Sequence, residues 1–356
     1  MEISKINATT GIITTDSFLD ARCEEEMKSL GEGAFETGIN KLVLDFSSLV
    51  HMNNGGVNIL VKLAAYARQR KKRLFVAGLN DRYKEIFKMT GLNECITIFS
   101  ETGYGYAGLT HSEINELSKV VSGEKEQDDR GWAPDTTRLK VTEKPQGAMN
   151  LNVNGRRAIG PLQGFGPLWQ KTYLLRINQS ALRPHDVITI MKQHFPEFQP
   201  SQNKFYPSNN GIAAGEIVLI DSSTPGGLVS TGVLVLYSDD LSFTLMTPQG
   251  HPEAGWVTFS AREADSVIEM QIQGLASASD PVYELAFRIA GSKFQETIWK
   301  HVLSSLASFL DVEPDVQMAK TCIRAGLQWS KTGNIWYNAQ IRSLPYNIPR
   351  WFGKQR

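Results

Sequence analysis

The sequence predicts two folded regions, an α/β domain at the amino end and an α+β domain at the carboxyl end. Residues 40–121 alternate strand-like apolar runs with helix-like periodicity, which is typical of an α/β fold. Residues 165–312 give a strand and a helix, then a run of short strands, then a long helix. The chain of 356 residues is long enough to bury two separate cores.

The first region contains strand-like and helix-like segments in regular alternation. The strand-like runs are KLVLDF (41–46), RLFVAGL (73–79) and ITIF (96–99), and the helix-like runs cover 54–70 and 81–92. This alternation is typical of an α/β fold, and we therefore predict an α/β domain over residues 1–121.

The second region is dominated by strands that follow one another directly. Its segments are WQKTYLLRI (169–177), a helix over 183–195, GEIVLID (215–221), TGVLVLY (231–237), SFTLMT (242–247), GWVTFSA (255–261) and VIEMQIQG (267–274). A closing helix begins with Asp280 as a cap and Pro281 in the first turn. Apolar residues recur in it every fourth position, from Phe294 to Leu310. We predict that this helix packs one face on the sheet of a domain spanning 165–312.

Two segments lie outside these domains. Residues 122–164 carry the charged run EKEQDD and few aliphatic residues, which indicates a linker. Residues 313–356 form a basic, aromatic extension, with seven lysines or arginines and no acidic residue from position 316 onward. This composition suits a peripheral contact with an anionic membrane. Alternatively, the extension wraps the second domain and buries its tryptophans.

Composition excludes several function classes. Lysine and arginine balance aspartate and glutamate at 37 each, so no overall field draws the chain toward nucleic acid. The cysteines Cys23, Cys95 and Cys322 lack the spacing of a disulfide framework or a zinc site, so we expect no metal.

No secretory signal and no run of eighteen apolar residues occurs, and we expect a cytoplasmic protein. The GYGYAG run (103–108) lacks the following parallel strand with an acidic residue, so we expect no dinucleotide or other cofactor.

Four short motifs in the first region point to one family. They are Asp45-Phe46-Ser47, Met52-Asn53-Asn54-Gly55-Gly56, Ala77-Gly78-Leu79 and Thr90-Gly91-Leu92. In this order they resemble the sulfate-transporter and anti-sigma-factor-antagonist (STAS) family over residues 41–99. The resemblance implies a mixed sheet flanked by helices. It also implies a regulatory role and a protein partner, such as an anti-sigma-like kinase or another regulator.

The second motif departs from the family pattern. In the antagonists a partner kinase phosphorylates the first serine of a pair at a helix N-terminus, where helix N–H groups favour an anion. Here Asn54 stands at that serine, Gly55 at the second hydroxyl and Asn53 at the preceding aspartate. No hydroxyl remains, so we predict a partner-docking loop over Asn53, Asn54, Gly55 and Gly56 that is outside kinase control. A helix N-cap is the structural interpretation of the two asparagines.

The element order of the second region resembles the START-like, helix-grip (SRPBCC) superfamily. The stretches GFGPLWQKTY (164–173), FYPSNNGIAAGE (205–216) and MTPQGHPEAGWVTFSA (246–261) look similar to uncharacterised members. The resemblance implies a cavity for a hydrophobic small molecule or lipid between the sheet and the last helix. We expect the cavity to be lined by Tyr173, Phe243, Trp256, Met270, Phe294 and Trp299. The alternative is that these side chains fill the space themselves.

Candidate catalytic groups are few. His251 and Glu253 lie at a predicted strand turn, where the pair could act as general acid and base, although a His-Pro-Glu run is also an ordinary turn. Our leading hypothesis is a bacterial regulatory protein without enzymatic activity, with a docking domain and a ligand-binding domain. The alternatives are a cyclase-like or hydratase-like enzyme acting on a hydrophobic substrate, and a lipid-transfer protein.

Overall fold

The computed structural model describes residues 1–99, 109–120, 126–178, 181–224, 226–290 and 293–352. The chain divides into two compact units, Met1–Arg130 and Gly131–Arg356. Each unit contains its own sheet and its own buried core. The GYGYAG run at 103–108 lies outside the described residues.

The first unit is an α/β domain. Its elements in chain order are β1 (Glu2–Lys5), β2 (Thr10–Thr14), β3 (Phe18–Leu19), α1 (Glu24–Glu36), β4 (Lys41–Asp45), β5 (His51–Met52), α2 (Asn54–Gln69), β6 (Arg73–Ala77), α3 (Asp81–Thr90), β7 (Ile96–Ile98) and α4 (His111–Val120). Strands β1, β2, β4, β6 and β7 form one sheet in that order, antiparallel between β1 and β2 and parallel elsewhere. The predicted mixed sheet with helices is confirmed.

Local chemistry sets where the helices of the first unit begin. The Asn53 side chain accepts hydrogen bonds from the N–H groups of Gly55 and Gly56 at the start of α2. Asn80 caps α3 in the same way by accepting from the Tyr83 N–H. Between β6 and α3 the chain turns at Gly78, which has φ +74° and leaves no room for a side chain beside Ser47.

Helix α4 is tied to the sheet by a buried carboxylate. Glu113 is 3% exposed and forms an ion pair with Lys41 at 2.8 Å. The Thr10 hydroxyl also donates to it. Burial alone would raise the pKa of Glu113, but the hydrogen bonds from Lys41 and Thr10 hold that pKa well below its ordinary value. Leu117, one turn further along, packs in the core against residues of β2, β4 and β6.

The second unit has an all-antiparallel sheet of eight strands. Its elements in chain order are β8 (Leu168–Ile177), α5 (Pro184–Gln193), β9 (Asn203–Tyr206), β10 (Ile217–Thr224), β11 (Gly227–Ser238), β12 (Ser242–Met246), β13 (Glu253–Ala264), β14 (Val267–Ala278), α6 (Pro281–Ala290), α7 (Lys293–Phe309), β15 (Val316–Arg324) and α8 (Ala339–Phe352). The strand order is β15-β8-β14-β13-β12-β11-β10-β9, so the first long strand pairs with the last one before the helices.

Alternation along the strands directs one set of side chains to a common core. On β14 these are Ile268, Met270 and Ile272, as the period of two predicts. Helices α5 and α7 cover this face, and Met191 and Val302 are buried against it. The closing helix thus packs on the sheet as predicted.

The closing helix is described as two segments, α6 and α7, and residues 291 and 292 between them lie outside the described residues.

The described residues of the predicted linker at 122–164 do not form a separate linker. They belong to the two folded units. Residues 126–130 belong to the first unit and the rest belongs to the second. In the second unit Leu139 and Val153 are buried against Leu219 and Leu234 of β10 and β11. Isolated apolar residues in an irregular segment have no periodicity, so the sequence shows their hydrophobicity without showing that they pack.

The extension predicted at 313–356 is not a separate tail, because its described residues pack on the second unit. Residues Val316–Arg324 form β15, which pairs with β8 at the edge of the sheet. Helix α8 packs on β11, where the Ser343 hydroxyl accepts from the Ser230 N–H and from the Asn152 amide. The alternative prediction was that the extension wraps the second domain and buries its tryptophans. Its backbone packs on the second unit, but Trp329 and Trp336 are 70% and 78% exposed.

Candidate functional site

The predicted docking residues lie together at the N-terminus of α2. Asn53 is the cap, with 2.9 Å from its Oδ1 to the Gly55 nitrogen. Asn54, the first helical residue, is buried with 1% exposure. A side chain at Gly56 would collide with the Leu19 carbonyl oxygen, because an added Cβ would lie 2.4 Å from it. The cap interpretation is confirmed for Asn53, and the second glycine is required by close packing.

A short segment that the sequence assigned to the linker binds at this edge of the first unit. The Asp128 N–H donates to the Val50 carbonyl at 2.6 Å, and the Tyr83 hydroxyl donates to the Asp128 carbonyl at 2.7 Å. Tyr83 also accepts from the Met52 N–H at 2.8 Å, directly before the docking loop. Burial raises the pKa of the Tyr83 hydroxyl well above its ordinary value.

Gln127 anchors the same segment to the ends of two parallel strands. Its amide nitrogen donates to the carbonyls of Phe46 and Gly78, and its oxygen accepts from the Asn80 N–H. The side chain is 8% exposed. Sequence reasoning missed these contacts because a glutamine in the charged run EKEQDD looks like a solvated residue.

The second unit contains an open cavity of about 650 Å³. It lies between the sheet and the helices α6 and α7. Its apolar wall includes Trp169, Phe205, Ile220, Val229, Ile298 and Trp299. This volume and this wall are typical of sites for small apolar ligands.

Small residues on β14 leave the space for the cavity. Beyond Ile272 the inward positions of this strand are Gly274 and Ala276. Ala276 lines the cavity, and Gly274 lines a smaller pocket of about 80 Å³ that shares much of the same wall. A Cβ added at Gly274 would meet nothing closer than the Lys171 carbonyl oxygen at 4.0 Å. The cavity therefore begins where the strand changes from large to small side chains.

Four polar side chains meet in the wall of the cavity. Lys171 Nζ donates to Gln295 Oε1 at 2.7 Å, and Gln295 Nε2 donates to Glu253 Oε2 at 2.6 Å. His251 Nδ1 lies 3.1 Å from the backbone nitrogen of Glu253. We call Lys171, Gln295, Glu253 and His251 the polar cluster.

Burial shifts the pKa of each titratable group in the polar cluster. It lowers the pKa of His251 to about 4, so the imidazole is neutral at pH 7. It raises the pKa of the Glu253 carboxyl, against the opposing effects of Lys171 and Gln295. It lowers the pKa of the Lys171 ammonium, against the opposing effects of Glu253 and Glu296. The arrangement places potential proton donors and acceptors beside an apolar space.

The six residues predicted to line the cavity have different positions. Trp299 lines the cavity, and Trp256 lines the smaller pocket. Tyr173, Phe243 and Met270 instead belong to the packed core, each 0% exposed. The side chain of Phe294 lies outside the described residues.

An aromatic cluster explains why Phe243 is not in the cavity wall. Its ring stacks on Phe259 with centroids 4.5 Å apart, and Phe195 meets both rings edge-on. Phe259 in turn contacts Trp299 at 5.6 Å. These rings fill the space under α7 at this end of the sheet, so the alternative of mutual packing holds for Phe243.

The predicted acid and base, His251 and Glu253, both line the cavity. Sequence reasoning missed Lys171 and Gln295. Lys171 was accessible to the same argument that selected Tyr173, because residues two apart on a strand share a face. Gln295 could not be found in this way, since its role depends on how α7 approaches β8 and β13.

Across the described residues, no group of three or more histidine, cysteine, aspartate or glutamate side chains could hold a metal ion. None of the described helices is both long and apolar enough to cross a membrane.

Comparison with known proteins assigns a family to the first unit. The STAS domain model matches residues 3–104. The phosphorylated form of the Bacillus cell fate determinant SpoIIAA is 17% identical over 28% of this chain and 91% of that chain, with a TM-score of 0.25. The anti-sigma factor antagonist SpoIIAA in its unphosphorylated form is 16% identical over 34% and 98%, with a TM-score of 0.27.

A further solved structure matches part of the chain. The di-domain ARO/CYC StfQ from the steffimycin biosynthetic pathway is 9% identical over 41% of this chain, with a TM-score of 0.31, and the match spans 51% of that protein. No curated protein matches the sequence. These TM-scores are low, so the assignment rests on the family model. Residues 3–104 match the STAS domain model, so the first unit is a STAS-type domain.

Proposed function

We propose that this is a bacterial, cytoplasmic regulatory protein in which a STAS domain docks on a protein partner and a START-like domain binds a hydrophobic small molecule. The observation that carries the proposal is the cavity of about 650 Å³ between the sheet and its closing helices. The topology supports a helix-grip domain, because β8 pairs with β14 and α7 covers their shared face. No enzymatic step is needed for this role.

The ligand is tested by native mass spectrometry of the purified full-length chain, followed by organic extraction. We expect a co-purifying apolar molecule, or an affinity for the solvatochromic dye Nile red at least thirtyfold higher than that of a cavity-filled variant. Gly274→Phe supplies that variant, because its ring would enter the space beside Lys171. If neither ligand nor dye binds, the proposed ligand-binding role is wrong.

For the STAS domain, we propose that the docking loop works without phosphorylation, since Asn54 stands at the phosphorylated serine of the family. Asn54→Asp introduces a negative charge at the start of α2, as a phosphate would. We expect the protein captured by the wild type and identified by mass spectrometry to be lost from this variant. Asn40→Asp controls for the added charge, because Asn40 is exposed at the opposite end of β4 and accepts from Lys72. Because Asn54 is buried, circular dichroism must show that Asn54→Asp is folded before a loss of capture is assigned to docking. Equal capture by all three proteins would contradict the docking role of the loop.

An enzymatic function is the second candidate, and the polar cluster is the observation that favours it. His251 and Glu253 line the cavity, and burial lowers the pKa of His251 to about 4 and raises the pKa of Glu253, so the imidazole is a neutral acceptor or donor at pH 7 and the carboxyl keeps its proton to higher pH than usual. His251→Ala separates the two functions. A binding protein keeps its ligand, whereas an enzyme loses turnover of that ligand by orders of magnitude.

Lipid transfer is the third candidate, favoured by an exposed apolar surface. Trp329 and Trp336 are exposed, and α6 presents Leu285 and Ile289 at 59% and 77% exposure. The same helix lines the cavity through Phe287. Aromatic and aliphatic side chains of this kind insert at membrane interfaces.

The test of lipid transfer uses vesicles that contain anionic lipid. We expect the double variant Trp329→Ala, Trp336→Ala to sediment with them severalfold less than the wild type. Leu241→Ala, which removes another exposed apolar side chain of the same unit, is the control. Deleting the extension is not a useful test, because β15 is a strand of the sheet. Unchanged sedimentation of the double variant would contradict the membrane role.

A further inference from the structure

The polar cluster lies in a cavity wall whose surface is mostly apolar, although other polar side chains, among them Glu284, Arg288 and Lys320, also line the cavity. Lys171 is 8% exposed and neighbours Trp169 and Trp299 in the lining. Gln295 joins Lys171 to Glu253, so three of the four polar side chains form one hydrogen-bonded chain. Polar groups inside an apolar cavity fix the orientation of a ligand, because a ligand that leaves them unpaired loses affinity.

Unused hydrogen-bonding capacity remains in the polar cluster. A lysine ammonium has three donor hydrogens. The described contacts of Lys171 are the hydrogen bond to Gln295 and an ion pair with Glu296 at 3.7 Å, which leaves a donor for a ligand oxygen. On His251 the backbone of Glu253 engages Nδ1, and no described residue contacts Nε2. The ligand can therefore meet one ammonium donor and one imidazole nitrogen.

The charges of the polar cluster determine which ligand head group can bind beside Lys171 and His251. A carboxylate entering here would approach Lys171, but it would also approach the carboxyl group of Glu253, which lines the cavity as well. An ammonium group would approach the Lys171 ammonium instead. Like charges at close range in an apolar site are strongly unfavourable, and desolvating a charged head group adds to the penalty. An uncharged oxygen avoids both conflicts.

We propose that the cavity selects an uncharged apolar molecule that carries a hydroxyl or carbonyl oxygen, with that oxygen bound by Lys171 and His251. The inference rests on the proposed ligand-binding function and names the chemical class of its ligand. The apolar body of the molecule lies along Trp169, Phe205 and Ile220. The oxygen accepts a hydrogen bond from Lys171 Nζ, and Gln295 holds the ammonium in place.

The test compares dodecan-1-ol, dodecanoate and dodecylamine, which share one chain and differ only in the head group. Each displaces Nile red from the full-length protein at pH 7, below its micelle-forming concentration. We expect dodecan-1-ol to bind at least tenfold more tightly than either charged compound. Equal or tighter binding of dodecanoate or dodecylamine overturns the inference while leaving the ligand-binding function intact. If neither Nile red nor any of the three compounds binds, the proposed function itself fails.

Variants assign the effect to residues. Lys171→Met should weaken dodecan-1-ol about tenfold, as expected for one hydrogen bond from a charged donor. Lys320→Met removes a second lysine from the same wall and is the control, with an expected change below twofold. Glu253→Gln should strengthen dodecanoate severalfold by removing a competing carboxyl. Equal losses in Lys171→Met and Lys320→Met, with folding verified by circular dichroism, overturn the role of Lys171.

Discussion

The sheet of the second unit has two ends that share the same strands but differ in what lies above them. At one end, β8 and β14 contribute Tyr173, Met270 and Ile272, and the helices pack directly onto them. At the other end, the same two strands contribute Lys171 and Ala276, and a cavity opens. We call these the packed end and the open end. Both ends follow the strand period of two, so the inward direction is the same in each.

The difference shows that side-chain size, rather than hydrophobic pattern, decides between a core and a binding site. Large side chains at the packed end interdigitate to the density of a protein interior. Glycine and alanine at the open end cannot reach α7, and the space remains. A pattern that records only apolar and polar positions treats both ends alike.

The largest expected effect is at the packed end. Phe243→Ala removes a ring that stacks on Phe259, and the surrounding rings cannot close the gap. We expect the free energy of unfolding to fall by about 4 kcal/mol, with Nile red binding retained under conditions where the variant is folded. Urea denaturation measures the first quantity. A loss of dye binding without a loss of stability would show that Phe243 lines the ligand site after all.

The second-largest effect is expected from adding a ring at the open end, whereas the first prediction removes one at the packed end. Gly274→Phe should reduce the affinity for Nile red at least thirtyfold, equivalent to about 2 kcal/mol, because the ring occupies space that the ligand needs. Stability should change by less than about 1 kcal/mol, since a Cβ at this position meets nothing closer than 4.0 Å and the ring extends toward the cavity. Gly274→Ala is the matched control and should keep most of the binding. A strongly destabilised Gly274→Phe would show that the open end is packed in solution.

A third prediction concerns the pH dependence that His251 gives the open end. Its folded-state pKa of about 4 lies below the ordinary value of 6.5, so the unfolded chain takes up a proton first as the pH falls. Stability should therefore drop as the pH falls from 6.5 to 4, by about 2 kcal/mol more in the wild type than in His251→Asn. Glu253, whose pKa is raised, acts in the opposite direction in both proteins. Parallel pH profiles from chemical denaturation would contradict the buried, neutral state of His251.

The smallest effect is expected for Tyr173→Phe at the packed end. The Tyr173 hydroxyl is buried, and no described group hydrogen-bonds to it. Removing it should leave the free energy of unfolding unchanged or raise it by about 1 kcal/mol, because a buried hydroxyl without a partner is unfavourable. Ligand affinity should not change. A clear loss of affinity in this variant would place the hydroxyl in the ligand site.

Sequence reasoning succeeded where a feature depends on neighbouring residues. The Asn53 cap, the helices α2 and α3 and the turn at Gly78 follow from local hydrogen bonds and steric limits, and each was predictable from a short motif. The inward faces of β8 and β14 were also predictable, because alternation is local.

The same reasoning failed where distant segments meet. Gln127 looks like a solvated residue of a charged run, yet it binds the ends of two strands about 50 and 80 positions earlier in the chain. Val316–Arg324 looks like part of a basic tail, yet it completes the sheet beside β8. In both cases the local composition is polar, and the contact is made by backbone groups or by one amide side chain.

By itself the sequence determined that an α/β STAS domain precedes a domain of antiparallel strands with a closing helix, because motifs and periodicity are properties of consecutive residues. The tertiary structure alone decided which inward residues form a core and which form a cavity, and that Lys171, Gln295, Glu253 and His251 meet. These four side chains come from β8, α7, β13 and the turn before β13, more than 120 positions apart at the extremes. Their proximity depends on how helices pack across a sheet, which no local pattern encodes.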